Sequence, residues 1–182
     1  IPDIGWQKIN SANAYGREAK PNERGAGPKL AKATIEAVTG LPIHYYIKLD
    51  FAGFTKIIDA LGGVRVNVPQ AFTDYEYPDN NYGYEPAAFS AGWQDLNGDR
   101  ALQYVRSRHG NNNEGSDFAR ARRPQAVLEA LQKRALALST LLNPNKIITL
   151  ADIMGENMAT DMEIWESLKL FELAKQINTS AI

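Results

Sequence analysis

The sequence of 182 residues contains no cysteine and only two histidines, His44 and His109. The missing thiols exclude disulfides, cysteine nucleophiles and thiolate metal sites, and two imidazoles are too few for a multi-histidine metal centre. No apolar run approaches the roughly 18 residues typical of a membrane-spanning helix. The formal net charge is only −1, which argues against a generally basic nucleic-acid binder. With 44% hydrophobic and 23% charged residues, the composition is that of a globular domain.

The sequence begins Ile1-Pro2-Asp3 without an initiator methionine or a basic, apolar leader. We therefore expect it to be a mature or trimmed piece of a longer protein, with any signal or membrane anchor upstream.

The hydrophobic pattern predicts an α/β protein whose sheet is covered by helices. Residues 1–28 have a loop-like composition, and the strongest helix and strand signals follow them. They are a helix from Pro28 closed by Gly40, a strand at Ile43–Leu49, a helix at Phe51–Leu61 and a strand at Val64–Val68. Two strands are few for a covered sheet, so we expect more in residues 1–28, in a later segment or upstream.

The second half of the sequence predicts helices separated by polar segments. Residues 70–97, rich in Tyr, Asn, Pro and Gly, indicate either a functional loop or a hidden hairpin. The expected helices are Asp99–Val105, Asp117 to about Ser139, one from Pro144, and a last one capped by Asp161 with Ile164, Leu168, Phe171 and Leu173 inward. The long helix is expected to bury Phe118, Leu128, Leu131, Ala135 and Leu138. No internal repeat is present.

The overall charge conceals a cluster of arginines between Arg100 and Arg123. Six arginines, no lysine and only two acidic residues, Glu114 and Asp117, give this segment a charge of +4. Arginine is favoured over lysine where planar, forked donation to phosphate or carboxylate matters. The cluster therefore indicates an anion site, although a solvated basic face is the alternative.

The spacing of these arginines favours one shared ligand. Arg106 and Arg108 lie on one face if the chain is extended after Val105. Arg120 and Arg123 share a face at the start of the long helix, whose N-terminus adds free N–H donors. The two pairs would form a cradle suited to a pyrophosphate.

Asp117 has two interpretations that the sequence does not separate. It lies at or next to the N-cap of the long helix, where a carboxylate stabilises the helix by about 1 kcal/mol. Alternatively, it orients Arg120 three residues later, binds a metal or accepts a proton.

Several motifs together resemble the LytR-CpsA-Psr family, in order and with similar spacing from residue 1 to about residue 175. They are Lys8-Ile9-Asn10, Asp59-Ala60-Leu61-Gly62-Gly63-Val64, Gly92 through Leu96-Asn97-Gly98, Ala101-Leu102-Gln103-Tyr104-Val105-Arg106-Ser107-Arg108, and Asp117-Phe118-Ala119-Arg120 through Arg123 and Gln125. The combination is highly specific, whereas any one motif alone is not.

The resemblance implies one catalytic domain over residues 1–182, an α/β/α sandwich with a central mixed sheet whose opening strands lie upstream. It implies a phosphotransferase that moves a glycopolymer, such as teichoic acid or capsule, from a polyprenyl-pyrophosphate carrier to peptidoglycan, with a pyrophosphatase side activity. The full protein would act at the extracytoplasmic face of the bacterial membrane, held by an N-terminal anchor.

The resemblance also implies roles for individual residues. Those matching the catalytic positions are Arg106, Arg108, Asp117 and Arg120. Those matching substrate-binding positions are Lys8, Asn10, Arg123 and Gln125, and an apolar tunnel for the lipid tail is expected at Phe51, Phe54 and Leu61. Taken without the family, these apolar residues resemble any protein core.

Two differences from the family pattern leave a second function open. Pro124-Gln125 stands where the family has Gln-Gln, and Gln7 stands where an acidic residue linked with Mg²⁺ often precedes Lys-Ile-Asn. The family implies Mg²⁺, but these residues leave its ligands unidentified. The alternative is a non-catalytic module that binds polyprenyl-linked or anionic glycans. Nucleic-acid binding is disfavoured because the cluster lacks lysine.

Overall fold

The computed structural model describes residues 1–79 and 81–176, which form helices and short strands in alternation. In chain order they are a 3₁₀ turn (Ile9–Ser11), α1 (Ala12–Ala19), α2 (Ala26–Thr39), β1 (Ile47–Leu49), α3 (Phe51–Ala60), β2 (Val64–Val68), β3 (Phe72–Pro78), β4 (Tyr84–Phe89), β5 (Gly92–Leu96), α4 (Gly98–Arg106), α5 (Asp117–Ala135), α6 (Leu138–Leu141), α7 (Pro144–Asn157), β6 (Met158–Thr160) and α8 (Ile164–Gln176).

The α/β class predicted from the sequence is confirmed. The described strands pair two by two in antiparallel ladders, β1 with β6, β2 with β5 and β3 with β4. For residues 70–97 the sequence left two alternatives, a functional loop or a hidden hairpin. The segment contains the β3–β4 hairpin and β5. Among the described residues, no helix combines the length and hydropathy needed to cross a bilayer.

The chain divides into two compact units. The first comprises Ile1–Leu49 and the described residues from Met158 onward, and the second comprises Asp50–Asn157. The prediction of one domain over residues 1–182 stays a prediction.

In the first unit, α1 and α2 pack closely where two glycines meet. A Cβ on Gly16 would lie 2.6 Å from the carbonyl oxygen of Ala26, so the absence of a side chain permits the contact. The loop prediction for residues 1–28 is therefore wrong in part, because α1 and the start of α2 lie within it. Its Asn and Gly content hid a helix that tertiary packing stabilises.

Asp161 of the first unit does not cap a helix as predicted. Its carboxylate accepts hydrogen bonds from Lys32 Nζ at 2.8 Å and from the backbone N–H of Tyr46 at 2.8 Å. Helix α8 begins later, at Ile164. The predicted inward positions Ile164, Leu168 and Phe171 lie outside the described side chains. The strand predicted at Ile43–Leu49 is shorter, beginning at Ile47.

The core of the second unit confirms the alternation predicted for β2. Val64, Val66 and Val68 are buried between exposed Arg65 and Asn67. They pack in one cluster with residues of α3, α4, α5, β5 and both hairpin strands. The members of this cluster include Ile58, Phe72, Tyr77, Phe89, Leu96, Tyr104 and Val127.

Two glycine-containing motifs meet in this unit. The N–H of Gly98 donates to Asp59 Oδ1 at 2.7 Å, and a Cβ on Gly98 would lie 2.3 Å from the carbonyl oxygen of Thr55. Gly62 and Gly63 turn the chain at φ values of 83° and 87° before β2. Asp59 of the Asp59–Val64 motif thus holds the start of α4 at Gly98.

The face predicted for the long helix is wrong at Phe118, Leu128 and Leu138, and the helix ends at Ala135 rather than near Ser139. The residues of α5 that are buried are Ala119, Arg123 and Val127, whereas the side chain of Phe118 is 91% exposed. Leu128 is also exposed. Arg123, for which the sequence predicts a phosphate contact, occupies the inward stripe instead.

Candidate anion-binding site

A cavity of about 570 Å³ in the second unit brings three predicted arginines together. Arg106, Arg108 and Arg120 all line it. The other lining residues are Phe51, Asp74, Glu76, Pro78, Tyr84, Val105, Ser107 and His109. The cavity therefore combines residues of α3, the hairpin, the end of α4 and the start of α5.

The first two arginines reach the same cavity because α4 ends between them. Asn97 caps the start of the helix by accepting the N–H of Arg100 at 2.9 Å. Arg106 is the last helical residue, and Ser107 has an extended ψ of 128°. The predicted unwinding is confirmed, one residue later than Val105. Arg108 thus leaves the helix instead of pointing to its opposite side.

Aromatic rings, and no carboxylate, hold the guanidinium of Arg106. Its carbon lies 4.6 Å from the ring centre of Phe51 and 5.7 Å from that of Tyr77. Within residues 1–79 and 81–176, no acidic side chain forms an ion pair with Arg106 or Arg108. Burial raises the pKa of Tyr77, and the charge of Arg106 opposes that shift. Both arginines have their charge available for an anionic ligand.

Arg120 is held by a partner on its own helix. Ser116, not Asp117, is the N-cap of α5, and its hydroxyl accepts the N–H of Ala119 at 3.4 Å. Asp117 is the first helical residue, and its Oδ1 lies 3.1 Å from Arg120 Nη1. The side chain of Asp117 is 94% exposed. Asp117 thus lies next to the N-cap, but the capping hydrogen bond comes from Ser116, and the ion pair fits the interpretation in which Asp117 orients Arg120.

Arg123 does not lie in the cavity. Its side chain has an exposed fraction of 0%, and its Nη1 donates to the carbonyl and carboxylate oxygens of Glu114 at 2.6 and 3.0 Å. Its Nη2 donates to the carbonyl oxygen of Ser107. Burial lowers the pKa of Arg123, which the Glu114 carboxylate opposes. The predicted contact of Arg123 with a phosphate is corrected: this guanidinium holds the two ends of the 107–116 loop together.

Asp74 is a cavity residue that the sequence did not reveal. It lies on β3, is 1% exposed, and accepts the backbone N–H groups of Arg108 and His109 at 2.8 and 3.1 Å. These partners are 34 and 35 residues away in sequence. No local spacing or periodicity signals such a contact.

The cavity also carries a second, solvent-exposed pair. His109 Nδ1 lies 3.6 Å from Glu76 Oε2, and both side chains are more than half exposed. The carboxylates of Glu76 and Asp74 lie among the three arginines of the lining.

Of the residues predicted to bind the lipid tail or the phosphate, only some line the cavity. Phe51 lines the cavity and is largely exposed, whereas Phe54 packs on the core and Leu61 is buried within it. A lipid contact at Leu61 would need a displaced core and stays a prediction. Gln125 is exposed on α5 and does not line the cavity.

Lys8 and Asn10 belong to the first unit. Both are exposed, at the 3₁₀ turn, where the carbonyl oxygen of Lys8 accepts the Ser11 hydroxyl at 2.6 Å. Their predicted contact with substrate stays a prediction.

The residues present do not fit a metal site supplied by this chain alone. In the described part of the chain, no three His, Asp or Glu side chains converge as metal ligands would. Both oxygens of Asp74 already accept hydrogen bonds: Oδ2 from the backbone N–H groups of Arg108 and His109, and Oδ1 from that of Glu76. Mg²⁺ is commonly held by one or two carboxylates together with substrate phosphates and water, but the buried carboxylate of this cavity, Asp74, is committed to those N–H donors.

An α/β unit with an arginine-lined cavity at the ends of two helices is the class that these observations define. The chain belongs to the LytR-CpsA-Psr family, because the model of the LytR_cpsA_psr family matches residues 1–182. It is 34% identical over 164 residues to a polyisoprenyl-teichoic acid–peptidoglycan teichoic acid transferase, TagU, of Oceanobacillus iheyensis, covering 90% of this chain and 45% of TagU.

Other relatives agree. TagV of Bacillus subtilis, a transferase of the same description, is 32% identical over 180 residues, covering 96% of this chain and 41% of TagV. The crystal structure of B. subtilis TagV superposes with a TM-score of 0.67 at 29% identity, covering all of this chain and 63% of that one. The chain thus spans less than half the length of these sequence relatives.

Proposed function

We propose that the protein containing this chain transfers a glycopolymer from a polyprenyl-pyrophosphate carrier to peptidoglycan. The observation that supports it is the placement of Arg106, Arg108 and Arg120 around one cavity. The relatives TagU and TagV carry teichoic acid transferase names. A pyrophosphate joining lipid and glycan is the anion that three arginines on one cavity would suit.

In the proposed reaction, the three guanidiniums bind the pyrophosphate oxygens. A hydroxyl oxygen of the acceptor sugar attacks the phosphorus next to the glycan and forms a new P–O bond. The bond from that phosphorus to the bridging oxygen breaks, and polyprenyl phosphate leaves with the electron pair. The arginines stabilise the negative charge that spreads over the phosphoryl oxygens.

Asp117 would serve this step in one of two ways. It orients Arg120, with which it is ion-paired at 3.1 Å, while the proton of the attacking hydroxyl passes to the departing polyprenyl phosphate, or it accepts that proton itself. If a water oxygen attacks instead of a sugar hydroxyl, the same bonds break and the result is the expected pyrophosphatase side activity. No step requires a metal bound by the chain.

The remaining expectations belong to the whole protein. A polyprenyl carrier lies in a membrane and peptidoglycan lies outside it, so the reaction would occur at the extracytoplasmic face, with an anchor upstream of this chain. We expect teichoic acid or capsule as the glycopolymer. The lipid tail would extend from the cavity along Phe51, whose ring is exposed there.

A non-catalytic glycan-binding module is the second candidate. Pro124 lies inside α5, and the exposed Gln125 that follows it does not line the cavity. The phosphate contact that a glutamine supplies in the family pattern is therefore missing from this cavity. A module of this kind would bind the carrier without cleaving it.

The two candidates are separated by incubating the protein with a polyprenyl-pyrophosphate-linked glycan and peptidoglycan oligomers, with and without Mg²⁺. Mass spectrometry of the products gives the answer. Transfer product and free polyprenyl phosphate support the transferase. Saturable binding with no cleavage in either condition would favour the binding module.

A further inference from the structure

We propose that Asp74 is a positioning residue, which fixes the backbone at Arg108 so that this arginine faces the cavity in a binding-ready position. The inference rests on the proposed function of the cavity. It concerns a residue that touches no ligand itself and acts through the chain segment that follows α4.

Both carboxylate oxygens of Asp74 accept hydrogen bonds from backbone N–H groups. Oδ2 accepts the backbone N–H groups of Arg108 at 2.8 Å and of His109 at 3.1 Å, and Oδ1 accepts that of Glu76 at 3.0 Å. Burial alone would raise the pKa of Asp74, but the three N–H donors outweigh it and hold the pKa below its usual range. The carboxylate is therefore ionised and committed to backbone donors at neutral pH.

Neighbouring contacts attach the same segment to the same strand. The N–H of Asn111 donates to the carbonyl oxygen of Thr73 at 3.1 Å, and Asn111 Oδ1 accepts the N–H of Thr73 at 2.8 Å. A single antiparallel bridge joins Asp74 to Gly110. The segment after α4 thus continues along β3 rather than crossing solvent freely.

An irregularity in β3 allows the Asp74 carboxylate to form these hydrogen bonds. The β3–β4 register shifts between Asp74 and Tyr77, as at a β-bulge, and bulges redirect side chains next to binding sites. Here the bulge gives Asp74 the N–H of Glu76 as its own partner. The carboxylate is thereby oriented towards the segment that carries Arg108.

The direction in which phosphate binding changes when Asp74 is replaced separates a positioning role from a purely electrostatic one. A carboxylate beside the cavity repels phosphate, so removing its charge alone would strengthen phosphate binding. If Asp74 positions Arg108, replacing it weakens binding although a negative charge has been removed. Asn is the informative replacement, because its amide NH₂ group must face a backbone donor where the carboxylate had an acceptor.

The test measures inorganic pyrophosphate binding to this chain by calorimetry, together with hydrogen exchange of the 107–111 segment. We expect Asp74→Asn to bind pyrophosphate roughly tenfold more weakly or worse. The backbone N–H groups of Arg108 and His109 should exchange faster, while α3 and β2 keep their protection. Asp79→Asn is the matched control, since Asp79 of the same hairpin accepts the N–H groups of Asn81 and Gly83 at 2.7 Å and does not line the cavity.

The outcomes are distinguishable. Unchanged or tighter pyrophosphate binding by folded Asp74→Asn, or unchanged exchange at Arg108 and His109, would overturn the positioning role. If that variant does not fold, Asp74→Glu keeps the charge but moves the carboxylate away from the N–H groups of Arg108 and His109, and normal pyrophosphate binding by it would equally overturn the role. If the unaltered chain binds no pyrophosphate, the proposed function fails, whatever the exchange data show.

Discussion

The sharpest prediction concerns Arg123, which the family pattern places on the substrate and the structure places in the core. Replacing it with lysine keeps the charge but loses the planar fork. One ammonium cannot reach both the Glu114 carboxylate and the carbonyl oxygen of Ser107, which two different nitrogens of the guanidinium now reach. The stacking of the guanidinium on Phe72 and Tyr104, at 5.1 and 5.9 Å, is lost as well.

The magnitude follows from these contacts. A hydrogen bond to a charged group contributes about 1.5–3 kcal/mol, so Arg123→Lys should lower the free energy of unfolding by about 2 kcal/mol. Arg123→Met removes the buried charge but leaves Glu114 paired with Arg122 Nη2 at 2.5 Å. We therefore expect Arg123→Met to lower the free energy of unfolding by about 3 kcal/mol, the lower end of the range for a broken buried ion pair.

Urea unfolding followed by far-ultraviolet circular dichroism measures these changes. Arg122→Lys is the matched control, because it alters the half-exposed partner of the same carboxylate and should cost less than about 1 kcal/mol. A loss below about 1 kcal/mol for Arg123→Met, combined with abolished pyrophosphate binding, would refute the structural role. It would show that Arg123 contacts the ligand directly.

Three further predictions concern the cavity. Asp117→Asn should reduce transfer by roughly 100-fold or more if the carboxylate orients Arg120 or accepts a proton, and steady-state transfer assays showing full activity would remove Asp117 from the mechanism. Phe51→Leu removes the ring 4.6 Å from Arg106 and should weaken pyrophosphate binding about threefold, measured by calorimetry, with unaltered affinity counting against this contact. Because the folded-state pKa of Asp74 is lowered, its stabilisation is present above the unfolded pKa of about 3.9 and is lost as pH falls through the lower folded value. Unfolding free energies measured between about pH 5 and pH 2 should therefore decrease less steeply with falling pH for Asp74→Asn than for the unaltered chain, and parallel curves would contradict this.

The sequence was sufficient for elements whose signals are local. Helix α3 and strand β2 follow from apolar spacing and from the Gly62-Gly63 stop, and the end of α4 lies one residue from the predicted Val105. The arginines that line the cavity were also identified, because their residue type and spacing carry the signal. These features depend on neighbours within a few positions of the chain.

The errors arose where distant residues decide the outcome. Arg123 is buried because Glu114 and Ser107 surround it, and helical periodicity assigned that face to Phe118 instead. Asp74 was overlooked because its partners are more than 30 residues away. A polar residue at an inward-facing position indicates a buried hydrogen bond only when the group that pairs with it is known.

The claim that the arginine cavity carries out glycopolymer transfer is tested most directly by one comparison in the full-length protein. Transfer of a labelled glycan from polyprenyl pyrophosphate to peptidoglycan is measured for the unaltered protein, Arg108→Ala, Arg120→Ala and the control Arg65→Ala. Arg65 is exposed on β2 over Trp93 at 5.7 Å and does not line the cavity. We predict that both cavity variants lose transfer while their unfolding free energies stay within about 1 kcal/mol, and that Arg65→Ala retains it. Normal transfer by folded Arg108→Ala and Arg120→Ala would contradict the account.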